Sequence, residues 1–167
     1  MLEKNLPLTE LPNLLDQVWQ YWRDRGGEKL DCTWQKTNLE QLPPHIIPYT
    51  MVIDCFPNID DNVFRFWGSG MTQIHGKDMT GENPYVITPK DLALTLRKTH
   101  QSLYDNPTAS ASVFGFQHAA GFNHIHTSLR LPLSNDGKKL DHILVSTCLT
   151  DAGAEYWGNQ HRSNRSL

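Results

Sequence analysis

The stretch Val63 to Gly81, VFRFWGSGMTQIHGKDMTG, constrains this chain more than any other. It reads as a strand, a glycine turn, a short helix and a second glycine turn. Strict alternation places Phe64 and Phe66 on one side of the strand and Arg65 and Trp67 on the other. Gly68 and Gly70 end the strand and allow a sharp bend. Met71, Ile74 and His75 then give a short helix one face, and Gly76 stops it as a C-cap glycine does.

Around this stretch the chain alternates helix and strand signals. Leu11, Leu14, Leu15, Val18, Tyr21 and Trp22 recur at threes and fours and predict an amphipathic helix over Thr9 to Arg25, capped by Thr9 and ended by Gly26-Gly27. Tyr49 to Phe56 and Val63 to Gly68, separated by PNIDDN, predict a hairpin. Thr88-Pro89 opens a second long helix that runs to about Tyr104, with Leu92, Leu96, Thr99, His100 and Leu103 on one face. Three strands follow: Thr108 to Gln117, Phe122 to Leu133, and His142 to Thr150. Asp136-Gly137 turns the last hairpin. Along the long middle strand Ile125, Leu129 and Leu131 share one face, and His124, His126 and Arg130 share the other. The order predicts an α+β domain: a five-stranded antiparallel sheet with helices on one face, and the N-terminal amphipathic helix as the natural cover for the other. The expected organisation is an N-terminal helical cap over 1–27, the sheet domain over 28–150, and a polar C-terminal tail over 151–167.

A length of 167 residues suits one domain with its own core. A net charge of −3 without any Lys/Arg run gives nucleic acid no electrostatic footprint. The opening MLEKNLPLTELP is not a signal peptide, and no apolar stretch is long enough to span a membrane. Cys32, Cys55 and Cys148 are dispersed and odd in number, which suits reduced thiols. Together these predict a cytoplasmic protein.

The element order and its words resemble a PAS domain, and more narrowly the small, often single-domain, bacterial PAS-like proteins. The matching residues are Tyr21-Trp22 with Arg25-Gly26-Gly27, Leu42-Pro43 followed by Val52-Ile53-Asp54, Phe64-Arg65-Phe66 with Gly68, and Gly76-x-Asp78-x-Thr80-Gly81. The resemblance covers roughly residues 15 to 150. It implies a sensory or interaction module for signal transduction, without naming a signal. The Asn-Cys-Arg-Phe-Leu-Gln type motif of the light-sensing subclass has no counterpart here.

A PAS-like fold holds small molecules between its sheet and its helices. The residues expected to face that groove are Phe64, Phe66, Met71, Ile74, Leu92, Leu96, His100, Phe114, Ile125 and Leu129; the competing expectation is that they simply fill the core. No cofactor is specified. His100, on the apolar face of the long helix, is the residue that haem would use, against the commoner role of a hydrogen-bonded core histidine. His118, His124, His126 and His142 come from neighbouring hairpins. They form either a solvated sheet face or a cluster for metal or proton sensing.

No hydrolase elbow, phosphate loop or zinc-protease motif is present. Asp54 and Asp78 read as strand-end and turn residues. The expectation is therefore a non-catalytic cytosolic module that binds a small molecule, a protein partner or both. No nucleic acid or membrane partner is expected. A homodimer is expected through the first helix and outer sheet face, with Trp19, Trp22 and Trp67 at the contact. The alternative is a small isomerase-like enzyme with an acid or base in an α+β cavity.

Overall fold

The computed structural model describes residues 2–117 and 123–149. Its strands are β1 (Leu2–Leu6), β2 (Thr50–Asp54), β3 (Val63–Trp67), β4 (Ser110–Gln117), β5 (Asn123–Leu133) and β6 (His142–Cys148). Its α-helices are α1 (Asn13–Arg23), α2 (Ser69–His75) and α3 (Lys90–Asp105). All six strands form one antiparallel sheet in the order β1-β4-β5-β6-β2-β3. The sheet thus has six strands where five were expected. The extra one, Leu2-Glu-Lys-Asn-Leu6, pairs with β4 at the sheet edge.

Both long helices start later than their capping signals suggested. Residues Leu8–Glu10 form a separate 3-10 turn, so α1 begins after Pro12 rather than at Thr9. Helix α3 begins at Lys90, and Thr88 supplies no side-chain cap. Gly76 does terminate α2, at φ +76°, its N–H bonding the Thr72 carbonyl.

Each face of the sheet is covered. Helix α1 lays Leu15, Val18 and Trp22 against Val52, Ala111, Leu129, Leu131, Leu133 and Leu144. On the opposite face α2, α3 and the turn at Pro84–Val86 cover Met51, Ile53, Phe64, Trp67, Phe114, Ile143 and Val145. Two covered faces explain why β5 and β6 are buried almost throughout.

The strand β3 does not alternate strictly. Phe66 faces Val52, while the next β2 residue, Ile53, faces Phe64, so Arg65 is an extra residue in the ladder. This bulge turns Phe64 and Trp67 to the same face and leaves Phe66 on the other, packed in the α1 layer. Beyond it, Gly68 passes so close to the Pro48 carbonyl that a Cβ would lie 2.2 Å from its oxygen. Gly70 sits likewise against the Tyr49 ring, at 2.6 Å. Both glycines are needed for close approach at the strand–helix junction.

Candidate ligand cavity

The helix-covered face of the sheet encloses a cavity of about 40 Å³. Its walls are mostly apolar: Met51 and Ile53 from β2, Phe64 and Trp67 from β3, Met71 from α2, Leu92 and Leu96 from α3, and Val145 from β6. Six of the ten residues expected at the groove line it, namely Phe64, Met71, Leu92, Leu96, His100 and Phe114. Ile74 is buried in the same core layer without reaching the cavity. Phe66 is turned away by the Arg65 bulge.

On β5 the expected faces are exchanged. Leu129 packs under α1, and Ile125 shares its strand parity, whereas His126, Ser128 and Arg130 line the cavity. Leu129, Leu131 and Leu133 fit the plain packing surface beneath α1. The polar set is left to face the groove.

Arg130 dominates the site. Its side chain is 1% exposed. Nη1 donates to Ser112 Oγ at 2.8 Å, and Cζ lies 4.7 Å from the centre of the Phe114 ring. Nε and Nη2 are buried without a hydrogen-bond partner among the described residues. Burial pulls its pKa down to about 10, opposed by the field of Glu3, so the guanidinium is still charged at neutral pH. Glu3 reaches it only indirectly, its carboxylate accepting from Ser112 Oγ at 3.4 Å. No Asp or Glu lines the cavity among the described residues.

A second polar arm comes from α3. Asn62 Oδ1 accepts from the Phe56 N–H at 2.9 Å, which orients its amide to donate to Tyr85 Oη at 3.1 Å. The phenol oxygen then hydrogen-bonds His100 Nδ1, 3.2 Å away. Burial, reinforced by the positive charge of Arg130, pulls the His100 pKa down to about 3. Burial also raises that of Tyr85. The buried Trp67 Nε1 has no acceptor among the described residues. The cavity is therefore an apolar pocket edged by donors.

The low pKa of His100 has a consequence for stability. The unfolded chain takes up a proton near pH 6.5, whereas the folded chain resists it down to about pH 3. Stability present above pH 6.5 is therefore lost as the pH falls through that window. Between pH 6.5 and 4.5 this group should cost about 2–3 kcal/mol. Urea unfolding of the wild type and of His100→Asn at both pH values checks this, the variant losing correspondingly less.

Other expected sites are placed differently. Trp22 is 3% exposed, donating from Nε1 to the Pro132 carbonyl at 2.8 Å, and Trp67 faces the cavity. Neither presents its ring for the expected dimer contact; Trp19 is the half-buried one of the three, under Arg23 at 4.9 Å. His118 and the side chain of His124 lie outside the described residues. His126 lines the cavity, while His142 stands against Trp34 and Asp54. No group of three His, Cys, Asp or Glu comes together among the described residues. Asp54 pairs with Arg65, and Asp78 accepts from Thr80 within its own turn. None of the three free thiols lines the cavity, and burial pushes Cys55 up to about 12 and Cys148 up to about 11. A cavity of about 40 Å³ whose His100 is tied to Tyr85 does not fit a haem.

The five strands β4-β5-β6-β2-β3 with α2 and α3 across one face make this a PAS fold. It is similar to the PAS domain of Bordetella pertussis BvgS, with 14% identity and a TM-score of 0.53 over 77% of this chain and 98% of that one. It is also similar to an RNA-binding light-oxygen-voltage receptor, with 13% identity and a TM-score of 0.55 over 99% of this chain and 45% of that one. A third likeness is to VqmA bound to DPO, with 16% identity and a TM-score of 0.52 over 68% of this chain and 55% of that one. The chain thus spans about half the length of the last two. No family model and no curated protein matches it. Among the described residues no helix is long and apolar enough to cross a membrane.

Proposed function

We propose that this chain is a non-catalytic sensory module that takes a small molecule into the cavity between its sheet and α2/α3, and passes the change on through contacts with another protein. The observation that carries this reading is the buried Arg130, whose Nε and Nη2 lack a partner on the wall of a largely apolar pocket. Buried donors are normally satisfied, so Nε and Nη2 call for a partner that the described residues do not supply, and a guest in this pocket would be one. The enclosed cavity has about three times the roughly 10–15 Å³ that one water needs. Its lining includes no carboxylate among the described residues, so the carboxylate half of an isomerase-like acid–base pair has no support there. The fold neighbour VqmA is itself bound to DPO.

Thermal unfolding of the full chain against a panel of small metabolites tests the reading. A ligand specific to the cavity raises the midpoint in step with its concentration. The shift should vanish in Val145→Phe, which fills the cavity from β6. Failure of every compound, or a shift that survives in Val145→Phe, sinks the proposal.

A further inference from the structure

We infer that the guest is a small monocarboxylate, held side-on by Nε and Nη2 of Arg130 with its short apolar part against Ile53, Met71 and Leu92. This rests on the cavity reading above and adds the chemistry of the ligand.

The geometry of the guanidinium carries the inference. Its five N–H groups form two usable edges, and Nη1 is already engaged by Ser112 at 2.8 Å. The two atoms left without a partner, Nε and Nη2, share one edge. That edge is the one that donates in parallel to both oxygens of a single carboxylate. A single water or hydroxyl oxygen takes both N–H groups only with bent bonds, whereas the two oxygens of a carboxylate take them straight.

Charge points the same way. A cation this deeply buried is costly unless a counter-charge reaches it. Glu3 lies beyond Ser112, on the side of a surface cleft that Arg130 also borders. The cavity side has no negative group among the described residues. One cation neutralises one anionic charge, so a second carboxylate or a phosphate dianion would bring uncompensated charge against Ile53, Met71 and Leu92. The other buried donor without a partner among the described residues of the lining, Trp67 Nε1, suits an electron-rich guest. The volume of about 40 Å³ limits its size to that of a short-chain acid.

The test is a titration of the ¹⁵N-labelled full chain with sodium propionate, followed through arginine Nε–H resonances and cavity methyl groups. Propionamide and sodium chloride serve as matched controls. One Nε–H resonance, absent from Arg130→Met, is expected to move and saturate with propionate alone. Arg130→Met should bind propionate about 100-fold more weakly, because two charge-assisted hydrogen bonds are lost. Arg130→Lys, which keeps the charge without the fork, should lose about 10-fold. If Arg130→Met does not fold, the wild-type resonance and its response to the two controls decide the matter. An equal response to chloride overturns the carboxylate assignment in favour of a simple anion site. Perturbation of the Ile53 and Met71 methyl groups by propionamide, with the Nε–H unmoved by propionate, retains a ligand cavity and overturns its carboxylate chemistry. No response to any of the three probes overturns the monocarboxylate assignment, and the metabolite panel then decides the cavity reading on its own.

Discussion

Replacing Trp22 by alanine is expected to lower stability by about 3–5 kcal/mol, the range for truncating a buried aromatic side chain. Trp22 is almost wholly buried between α1 and the outer sheet face, and its ring rests so close to Gly27 that a Cβ there would lie 2.1 Å from it. Truncation also strands the Pro132 carbonyl, which now accepts from Nε1. Trp22→Phe should cost less, about 1–3 kcal/mol, since only part of the ring and one hydrogen bond go. Trp19→Ala, at the half-buried surface of the same helix, should cost the least of the three. Denaturant unfolding at two protein concentrations checks the series. The Trp22 loss should be independent of concentration, because its partners lie within one chain. A concentration-dependent loss would instead return Trp22 to a subunit contact.

Arg130→Met should have the opposite sign. Without added ligand it is expected to raise stability by about 1–3 kcal/mol, as replacement of a buried, imperfectly paired charge by an apolar side chain of similar reach often does. Met keeps an apolar stem of similar reach, and removes the two unpartnered donors together with the guanidinium contact to the Phe114 ring. Ser112 keeps its contact with Glu3. Differential scanning calorimetry in a carboxylate-free buffer checks the sign. A destabilised but folded variant would mean that the guanidinium is a structural strut. A residue that costs stability and remains in the core is best explained by what it binds, which ties this prediction to the cavity.

Much of the fold was legible from local chemistry. The Val63–Gly81 stretch carried its own strand, turn and helix stop, because Gly68, Gly70 and Gly76 sit where the backbone requires glycine. The apolar stripe of α1 correctly pointed to a cover for the sheet's second face. What was not legible depends on partners distant in sequence. Arg65 reads as an ordinary alternating residue, yet the bulge opposite Val52 and Ile53 turns Phe66 out of the groove and Trp67 into it. Residues Leu2–Leu6 carry no turn or hydrophobic signal; only the free edge of β4 makes them a strand.

The site was half legible for the same reason. Alternation along β5 separated Leu129 from Arg130 but could not say which face met α3. An arginine in a strand reads as solvent-facing, so the apolar face was assigned to the groove. The available clue was length: β5 runs from Asn123 to Leu133 between two other strands, and a central strand covered on both faces has no solvent side. His100, singled out by its place on the apolar face of α3, lines the cavity. Its phenol partner, Tyr85, comes from a loop turn whose approach no spacing rule gives.

The most direct test of this account is a crystal structure of the full chain grown with saturating propionate. The account predicts carboxylate density inside the sheet–helix cavity, with its two oxygens at hydrogen-bond distance from Nε and Nη2 of Arg130 and its carbon chain toward Ile53 and Met71. Density for ordered water alone in that cavity, or propionate seated only in the surface cleft beside Glu3, would contradict it.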